Sequence, residues 1–381
     1  MRILIITPSY KPAFVYGGPT RSVSLLAESL VAAGNDVLVI TTTANGPTEL
    51  PVSTNSITVV DGVSVHYHRR WTGDHTHFSP ALLWNVWRHA RRFDIVHVQA
   101  WWNFVSVFAV AICLLRGVTP VLSPRGMMSA FSFTHQRAGL KGLLHRWFGA
   151  RLIRRSWLHT TSALELTDCQ RAVPGAAGFV LPNFVAARHR HDVRAVLPDN
   201  TRVGFLSRID RKKGVDLLIR SLALSRQPWT LDIAGTGDAS YLDELQKLSE
   251  QLHVAHRVRW HGWLDGDARF DFLQSVSLFA LTSQNENFAN VVIESLMEGT
   301  PVVVSNQVGL CDFVEQERLG WVTTLDPAHI AATLDEAIAN NAERERIHNT
   351  APQRARTVFT GAGLAARYQQ EYQQLIAAHG H

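Results

Sequence analysis

Cysteine is scarce and scattered. The 381 residues include 3 cysteines, Cys113, Cys169 and Cys311. Their spacing suits no zinc site, dithiol or disulfide framework, and the odd number argues against full pairing. A reducing compartment is the natural setting. An apolar run long enough to cross a bilayer is also missing. The segment that invites the question, 100–115, is interrupted by Asn103 and Ser106 and falls short of the roughly 18–20 residues a span needs. It lies between the strand-like runs 95–98 and 118–122, so it reads as a buried crossover helix. Met1-Arg2 leads straight into Ile3-Leu4-Ile5-Ile6, a run too short for a signal peptide and followed by no cleavage site, so a first strand is expected. Short-period repeats and low-complexity tracts are absent as well.

What is present is a length and a charge distribution. A chain of 381 residues exceeds one ordinary core and predicts two domains of similar size. Residues 1–185 carry 17 Lys and Arg against 8 Asp and Glu, whereas the remainder carries 20 against 24. A basic half beside a mildly acidic one implies that the first half meets something anionic. Within it, 137–155 has helical spacing, with Leu140, Leu143, Leu144, Trp147 and Phe148 on one side and Arg137, Lys141, Arg146, Arg151, Arg154 and Arg155 around the other. Such a helix suits an anionic membrane surface or a lipid diphosphate; a crossover helix with a solvated basic face is the alternative. No nucleic-acid partner is expected. The expected location is the cytoplasm, with attachment to the inner face of a membrane left open.

Periodicity divides the chain into two successive α/β patterns. Strand-like runs fall at 2–7, 36–42, 63–67, 95–98, 118–122 and 157–160. A second series falls at 203–206, 229–234, 258–261, 278–282, 301–305 and 320–322. Strands alternating with helices predict parallel, doubly wound sheets. The polar stretch 185–200 is a plausible hinge, and Thr360–Ala378 reads as an amphipathic helix carrying Leu364, Tyr368, Tyr372 and Leu375.

The most informative stretch runs from Asn285 to Leu296. Glu286 and Glu294 stand eight positions apart across the start of an apolar helix expected over 288–296, followed by the strand at 301–305. A helix start offers unpaired N–H groups and a positive dipole end to a phosphate. A carboxylate just before it accepts hydrogen bonds from hydroxyls that the phosphate carries, and a second carboxylate, two turns inside, could hold a ribose. An ordinary helix with a charged cap loop is the competing account. Upstream, the basic turn Arg208-Ile209-Asp210-Arg211-Lys212-Lys213 follows a strand, where a fixed Arg and Lys could stabilise an anion; a solvated basic turn is the alternative. Leu231-Asp232-Ile233-Ala234-Gly235-Thr236-Gly237 ends a strand in Gly-x-Gly without the third glycine of a dinucleotide fingerprint. Asp265-Gly266-Asp267 matches a metal–diphosphate motif, but its place before a periodic helix favours Asp265 or Asp267 as an N-cap. Adjacent Gly17 and Gly18 permit close backbone approach to a ligand or form a hinge.

Glu286-Asn287-Phe288-Ala289-Asn290-Val291-Val292-Ile293-Glu294 resembles the paired-glutamate signature of retaining glycosyltransferases of family 4. The resemblance extends over nearly the whole chain. It implies the GT-B fold: two doubly wound Rossmann-like domains facing across a cleft, 1–185 for the acceptor and 186–359 for the nucleotide-sugar, with the helix at 360–378 packing back on the first. It also implies an activity, transfer of a sugar from a nucleoside-diphosphate sugar to a saccharide acceptor, with retention and without a metal or other cofactor. Only the resemblance singles out Arg208, Lys213, Gly214 and Asp216 in the basic turn and assigns them a departing diphosphate. Catalytic roles fall on Glu286, Arg208 and Lys213. Donor binding falls on Glu294, Phe288, Ala289, Asn290, Gly235, Gly17 and Gly18. Ala289 stands where the family usually has glycine; a right-handed backbone is expected there, which alanine tolerates. Asp94-Ile95-Val96-His97 resembles a family strand, and Ser123-Pro124-Arg125-Gly126 has Arg125 where many members have a histidine. An arginine cannot serve as a general base, so Arg125 and His97 are assigned at most to an acceptor or phosphate, with loop bracing and strand packing as alternatives. The Ser-Pro-Arg-Gly-Met run resembles a polysaccharide-assembly branch, which points to a lipid-linked glycan acceptor. A GT-B enzyme of another reaction, such as an epimerase or small-acceptor synthase, and a non-catalytic nucleotide-sugar binder remain the other readings.

Overall fold

The computed structural model describes residues 1–128, 148–188 and 201–379. The chain forms two compact units: Met1–Ala186 together with the C-terminal helix, and Ala187–Thr360.

The first unit opens with β1 (Arg2–Ile6), α1 (Gly18–Ala32) and β2 (Asp36–Thr42), then the small ribbon β3 (Ala44–Asn45) and β4 (Thr48–Glu49). β5 (Thr58–Val60), β6 (Val63–His68), α2 (Pro80–His89), β7 (Ile95–Gln99), α3 (Phe104–Leu115) and β8 (Val121–Ser123) follow. α4 (Ala150–Arg154), β9 (Trp157–Thr160), α5 (Ala163–Ala172) and β10 (Gly178–Val180) complete the sheet layer. The strand order is β10-β9-β8-β7-β1-β2-β6-β5. All neighbours are parallel except the antiparallel edge strand β5. Both faces of such a sheet must be covered, which explains the unbroken apolar strands. Ile3 and Ile5 face one core with Val37, Val39 and Val65. Leu4 and Ile6 face another with Ile40, Val96 and Val98, as a period of two requires.

The crossover helix α3 starts at Phe104 because Asn103 caps it, its Oδ1 accepting from Ser106 N at 2.8 Å. The expectation of a buried helix is half right. Val105, Ala109 and Val110 are buried, but Phe104, Phe108 and Leu115 face outward. Most of the basic segment 137–155 and of the stretch 185–200 lies outside the described residues; only the end of the former is seen, as α4.

The second unit contains β11 (Arg202–Leu206), α6 (Val215–Leu224), β12 (Thr230–Ala234), α7 (Ala239–Gln251), β13 (Val258–Gly262), α8 (Asp267–Ser275) and β14 (Leu278–Leu281). It continues through α9 (Asn290–Met297), β15 (Val302–Ser305), α10 (Cys311–Gln316), β16 (Gly320–Thr323), α11 (Pro327–Ala339) and α12 (Asn341–Phe359). Its all-parallel order is β13-β12-β11-β14-β15-β16. The winding direction therefore reverses between β11 and β14, and the crevice at their carboxyl ends is where such sheets bind ligands. Neither Asp265 nor Asp267 caps α8: Gly266 holds that position with φ 56, and Asp267 is the first helical residue. A glycine at positive φ turns the chain without needing a side-chain cap.

The last helix, α13 (Gly361–His379), belongs to the first unit, where Leu364, Tyr368, Tyr372 and Leu375 join the core beside Ile3 and Ile5.

Candidate functional site

At the switch point of the second unit, three loops are laced together. After β11 the chain makes a 3-10 turn over Arg211–Lys213 and reaches Gly214 at φ 67. A Cβ on Gly214 would lie 2.1 Å from the Thr282 carbonyl oxygen, so the turn rests directly on the end of β14. Thr282 Oγ1 donates to Gly214 O at 2.8 Å, and Gln284 N donates to Lys212 O at 2.7 Å. The loop after β14 is tied in turn to the loop after β15. Glu286 N donates to Gln307 O at 3.0 Å and Gly309 N donates to Glu286 O at 2.8 Å. From the other side, Gly235 packs its backbone where a Cβ would meet Ser207 O at 1.9 Å.

This lacing brings Lys213 and Glu286, 73 positions apart, into an ion pair in which Lys213 Nζ donates to Glu286 Oε2. Both side chains are mostly buried, at 10% and 19% exposure. A buried pair of this kind is costly to break from one side, about 3–5 kcal/mol, because the other charge is stranded. Arg208, on the loop just after β11, is exposed and without a hydrogen-bond partner among the described residues. A held cation and a carboxylate with backbone-fixed position thus share one crevice, and an exposed arginine lies on the loop after β11.

The helix at this crevice corrects two expectations. α9 begins at Asn290, not Phe288, because Ala289 is left-handed at φ 69 and ψ 71 and forms the N-cap with no side-chain hydrogen bond. The right-handed backbone expected for Ala289 is therefore wrong. The usual glycine would fit this position without cost, whereas alanine pays roughly 1–2 kcal/mol for a left-handed backbone. Ala289→Gly should raise the stability of the second unit by up to about 1 kcal/mol, after the added freedom of the unfolded chain is subtracted. Urea denaturation checks it, and a loss of stability would contradict the strain argument. Glu294 is accordingly one turn inside α9 rather than two. It is buried, and its Oε1 lies 3.0 Å from Arg269 Nη1 of α8. Any ribose at Glu294 shares that carboxylate with Arg269. Phe288 turns its ring into the interior against Phe359, with centroids 5.8 Å apart, which leaves its backbone for ligand contact. Asn290 is the first helical residue at the same end.

In the first unit the winding reverses between β1 and β7. Gly17, at φ 70, caps α1 at the carboxyl end of β1, with Gly18 as the first helical residue. Arg125, also at positive φ, braces loops. Its Nε and Nη2 donate to Gln99 Oε1 at 3.0 and 2.8 Å, and its Nη1 donates to Asn183 Oδ1. Burial lowers its pKa, opposed by nearby Glu165. Glu165, not singled out from sequence, accepts from Gly126 N at 2.7 Å and Thr161 N at 2.8 Å and so fixes the turn that carries Arg125. His97 is fully buried. It is held between Ser123 Oγ at 2.7 Å and Tyr372 OH at 2.8 Å, so direct contact of its ring with an acceptor or phosphate is blocked. Only the chain-distant tyrosine of α13 completes that arrangement, which no local motif signals.

Two family models divide the chain between them. Residues 16–197 match Glycosyltransferase Family 4, and residues 190–354 match Glycosyl transferases group 1. This chain is a GT-B glycosyltransferase, similar to family 4. An uncharacterized glycosyltransferase of Methanocaldococcus jannaschii is 27% identical over 389 residues, covering 92% of each chain. The glycogen synthase of Mycobacterium tuberculosis is 28% identical over 400 residues, covering 98% of this chain and 94% of its own. The fold is that of Anabaena HepE, solved with UDP (TM-score 0.74, 20% identity) and with UDP-glucose (TM-score 0.71, 19% identity), with 99% of this chain and 100% of that one covered.

Proposed function

We propose that the enzyme transfers a hexosyl group, with retention of anomeric configuration, from a nucleoside-diphosphate sugar to a saccharide acceptor on a lipid-linked surface glycan. The observation that carries the donor assignment is the Lys213–Glu286 pair at the β11–β14 switch point, with the exposed Arg208 on the loop after β11. UDP and UDP-glucose in the Anabaena relative support the same class. Arg208 and Lys213 bind the diphosphate and neutralise the charge that develops as the bond from C1 to phosphate oxygen breaks. The acceptor hydroxyl attacks C1 from the face that the diphosphate leaves, and its proton passes to the departing phosphate oxygen. Glu286 accepts hydrogen bonds from the sugar hydroxyls. Arg and Lys supply the positive charge, so the reaction runs without a metal. The basic first half and the Ser123-Pro124-Arg125-Gly126-Met127 run support a lipid-linked acceptor over a small soluble one.

Thermal stabilisation by UDP-, GDP- and ADP-sugars in the presence of a chelator tests the reading. A true donor at a hundredfold excess over its Kd should add ~2.7 kcal/mol, and Arg208→Ala should remove most of that gain. If every nucleotide-sugar leaves the transition unmoved, the donor assignment is wrong.

A further inference from the structure

The helices over one face of the first sheet expose side chains that helices of globular proteins bury. α2, α3 and α4 all send residues into the core beneath that face, among them Leu82, Val86, Val105, Ala109 and Ile153. Their opposite sides therefore form one outer surface. Apart from the buried Ser106 and Cys113, every residue of α3 is hydrocarbon or aromatic. Phe104, Phe108 and Leu115 are 45%, 38% and 75% exposed. Beside them α2 exposes Trp84 at 60% and Trp87 at 39%. The aromatic surface continues through Phe78, whose ring meets Phe104 and Phe108 edge-on at 6.1 and 6.3 Å, to the exposed Trp71 at 6.2 Å. Single exposed apolar residues are common, but a contiguous patch marks a docking surface.

The charge around this patch selects its partner. Segments 80–93, 104–117 and 150–156 together hold seven arginines and no aspartate or glutamate. Arg88, Arg91 and Arg92 are exposed on the α2 side and Arg151, Arg154 and Arg155 on the α4 side. Arg116 lies over the Trp87 ring at 5.1 Å, and its carbonyl accepts from Arg91 Nε at 2.6 Å, which joins the aromatic and basic parts. Between the ends of α3 and α4, Leu114, Arg154, Arg155 and Trp157 line a cavity of 360 Å³. Exposed tryptophan and phenylalanine bordered by arginine match the depth profile of a bilayer interface, with rings at headgroup level and cations on the phosphates.

We propose that this face docks the protein on an anionic phospholipid bilayer. Trp84, Phe104 and Phe108 enter the interface, while Arg88, Arg91, Arg92 and Arg154 meet the lipid phosphates. This surface shares Arg151, Arg154 and Arg155 with the end of the basic pattern read over 137–155, and the inference holds whatever the donor sugar.

Flotation of the full chain with phosphatidylcholine vesicles, with and without phosphatidylglycerol, tests it. Binding should require the anionic lipid and weaken as salt screens it. The triple variant Arg88→Gln, Arg91→Gln, Arg92→Gln should bind about a hundredfold more weakly. Phe104→Ser with Phe108→Ser should lose binding by about tenfold or more. These side chains are exposed, so the variants should fold, and an unchanged thermal shift with the donor nucleotide confirms that independently of lipid. Absence of binding, equal binding to neutral vesicles, or equal binding by the variants would each overturn the proposal. A concentration-dependent dimer abolished by the Phe variants would assign the face to a second copy instead.

Discussion

Lys213→Ala should cut kcat/KM by about a thousandfold, the scale expected when a cation on a departing phosphate is removed. Glu286→Gln should cut it by about a hundredfold, through lost hydrogen bonds to the sugar. The two losses should separate by ligand. Lys213→Ala weakens binding of the bare nucleoside diphosphate, because the missing ammonium faces phosphate. Glu286→Gln leaves that binding unchanged and weakens only the sugar nucleotide. Glutamine is chosen at 286 to keep an acceptor beside the mostly buried Lys213 ammonium; Lys213→Ala strands the Glu286 carboxylate, so its rates are read alongside its urea transition. Calorimetric titration with UDP and a UDP-sugar, alongside initial rates, distinguishes the outcomes. Full activity in Glu286→Gln, or unchanged nucleotide binding in Lys213→Ala, would reduce the pair to a structural brace between the loops after β11 and β14.

Much of this architecture is legible in one sequence because its signals are local. The runs at 36–42 and 157–160 become β2 and β9 with the same limits, and most other strands shift by a residue or two at an end. Alternating strands and helices dictate parallel sheets, and apolar β1 dictates burial on both faces. The paired glutamates mark the end of β14 and the start of α9 for the same reason. What periodicity cannot supply is dihedral angle and long-range pairing. Ala289 has ordinary chemistry, and only the backbone reveals its left-handed turn. Glu294 looks like a free carboxylate until α8 brings Arg269 against it. α3 reads as a buried helix because its composition is apolar all round, yet one side stays partly open at Phe104 and Phe108. The edge strands β5 and β10 are short, at 3 residues each, and leave too little pattern to find.

Lowering the pH from 7 to 5 should destabilise the first unit steeply, because its core holds a chain of neutral histidines. The proton positions follow from one fixed acceptor. The carbonyl of Leu181 can only accept, so His159 Nε2, 3.0 Å away, carries a proton. His159 Nδ1 therefore accepts from Ser123 Oγ at 2.7 Å. Ser123, its proton committed, accepts from His97 Nε2 at 2.7 Å. His97 Nδ1 must then accept from the Tyr372 hydroxyl at 2.8 Å, which ties α13 to β7. Every donor is matched while both rings are neutral, and a proton added to either ring forces the Ser123 or Tyr372 hydroxyl to turn its own proton out of the chain. Burial holds the His159 pKa at about 3 and His97 well below the usual 6.5, with Arg125 nearby acting in the same direction. For a base whose folded pKa is depressed, the unfolded chain binds the extra proton first. Stability is therefore intact above pH 6.5 and falls as the pH drops below it, by roughly 1.4 kcal/mol per pH unit for each ring. His68 and His77, both lowered to about 4 by burial, add to the slope in the same unit. Urea denaturation at pH 7 and pH 5 should show the wild type losing several kcal/mol in the transition of the first unit. His97→Asn with His159→Gln should flatten that dependence even though it lowers stability at pH 7. Tyr372→Phe should cost about 1–3 kcal/mol at pH 7 by leaving His97 Nδ1 unsatisfied, with most of the acid slope retained. An acid slope as steep in the double variant as in the wild type would show that these rings are not what binds the protons.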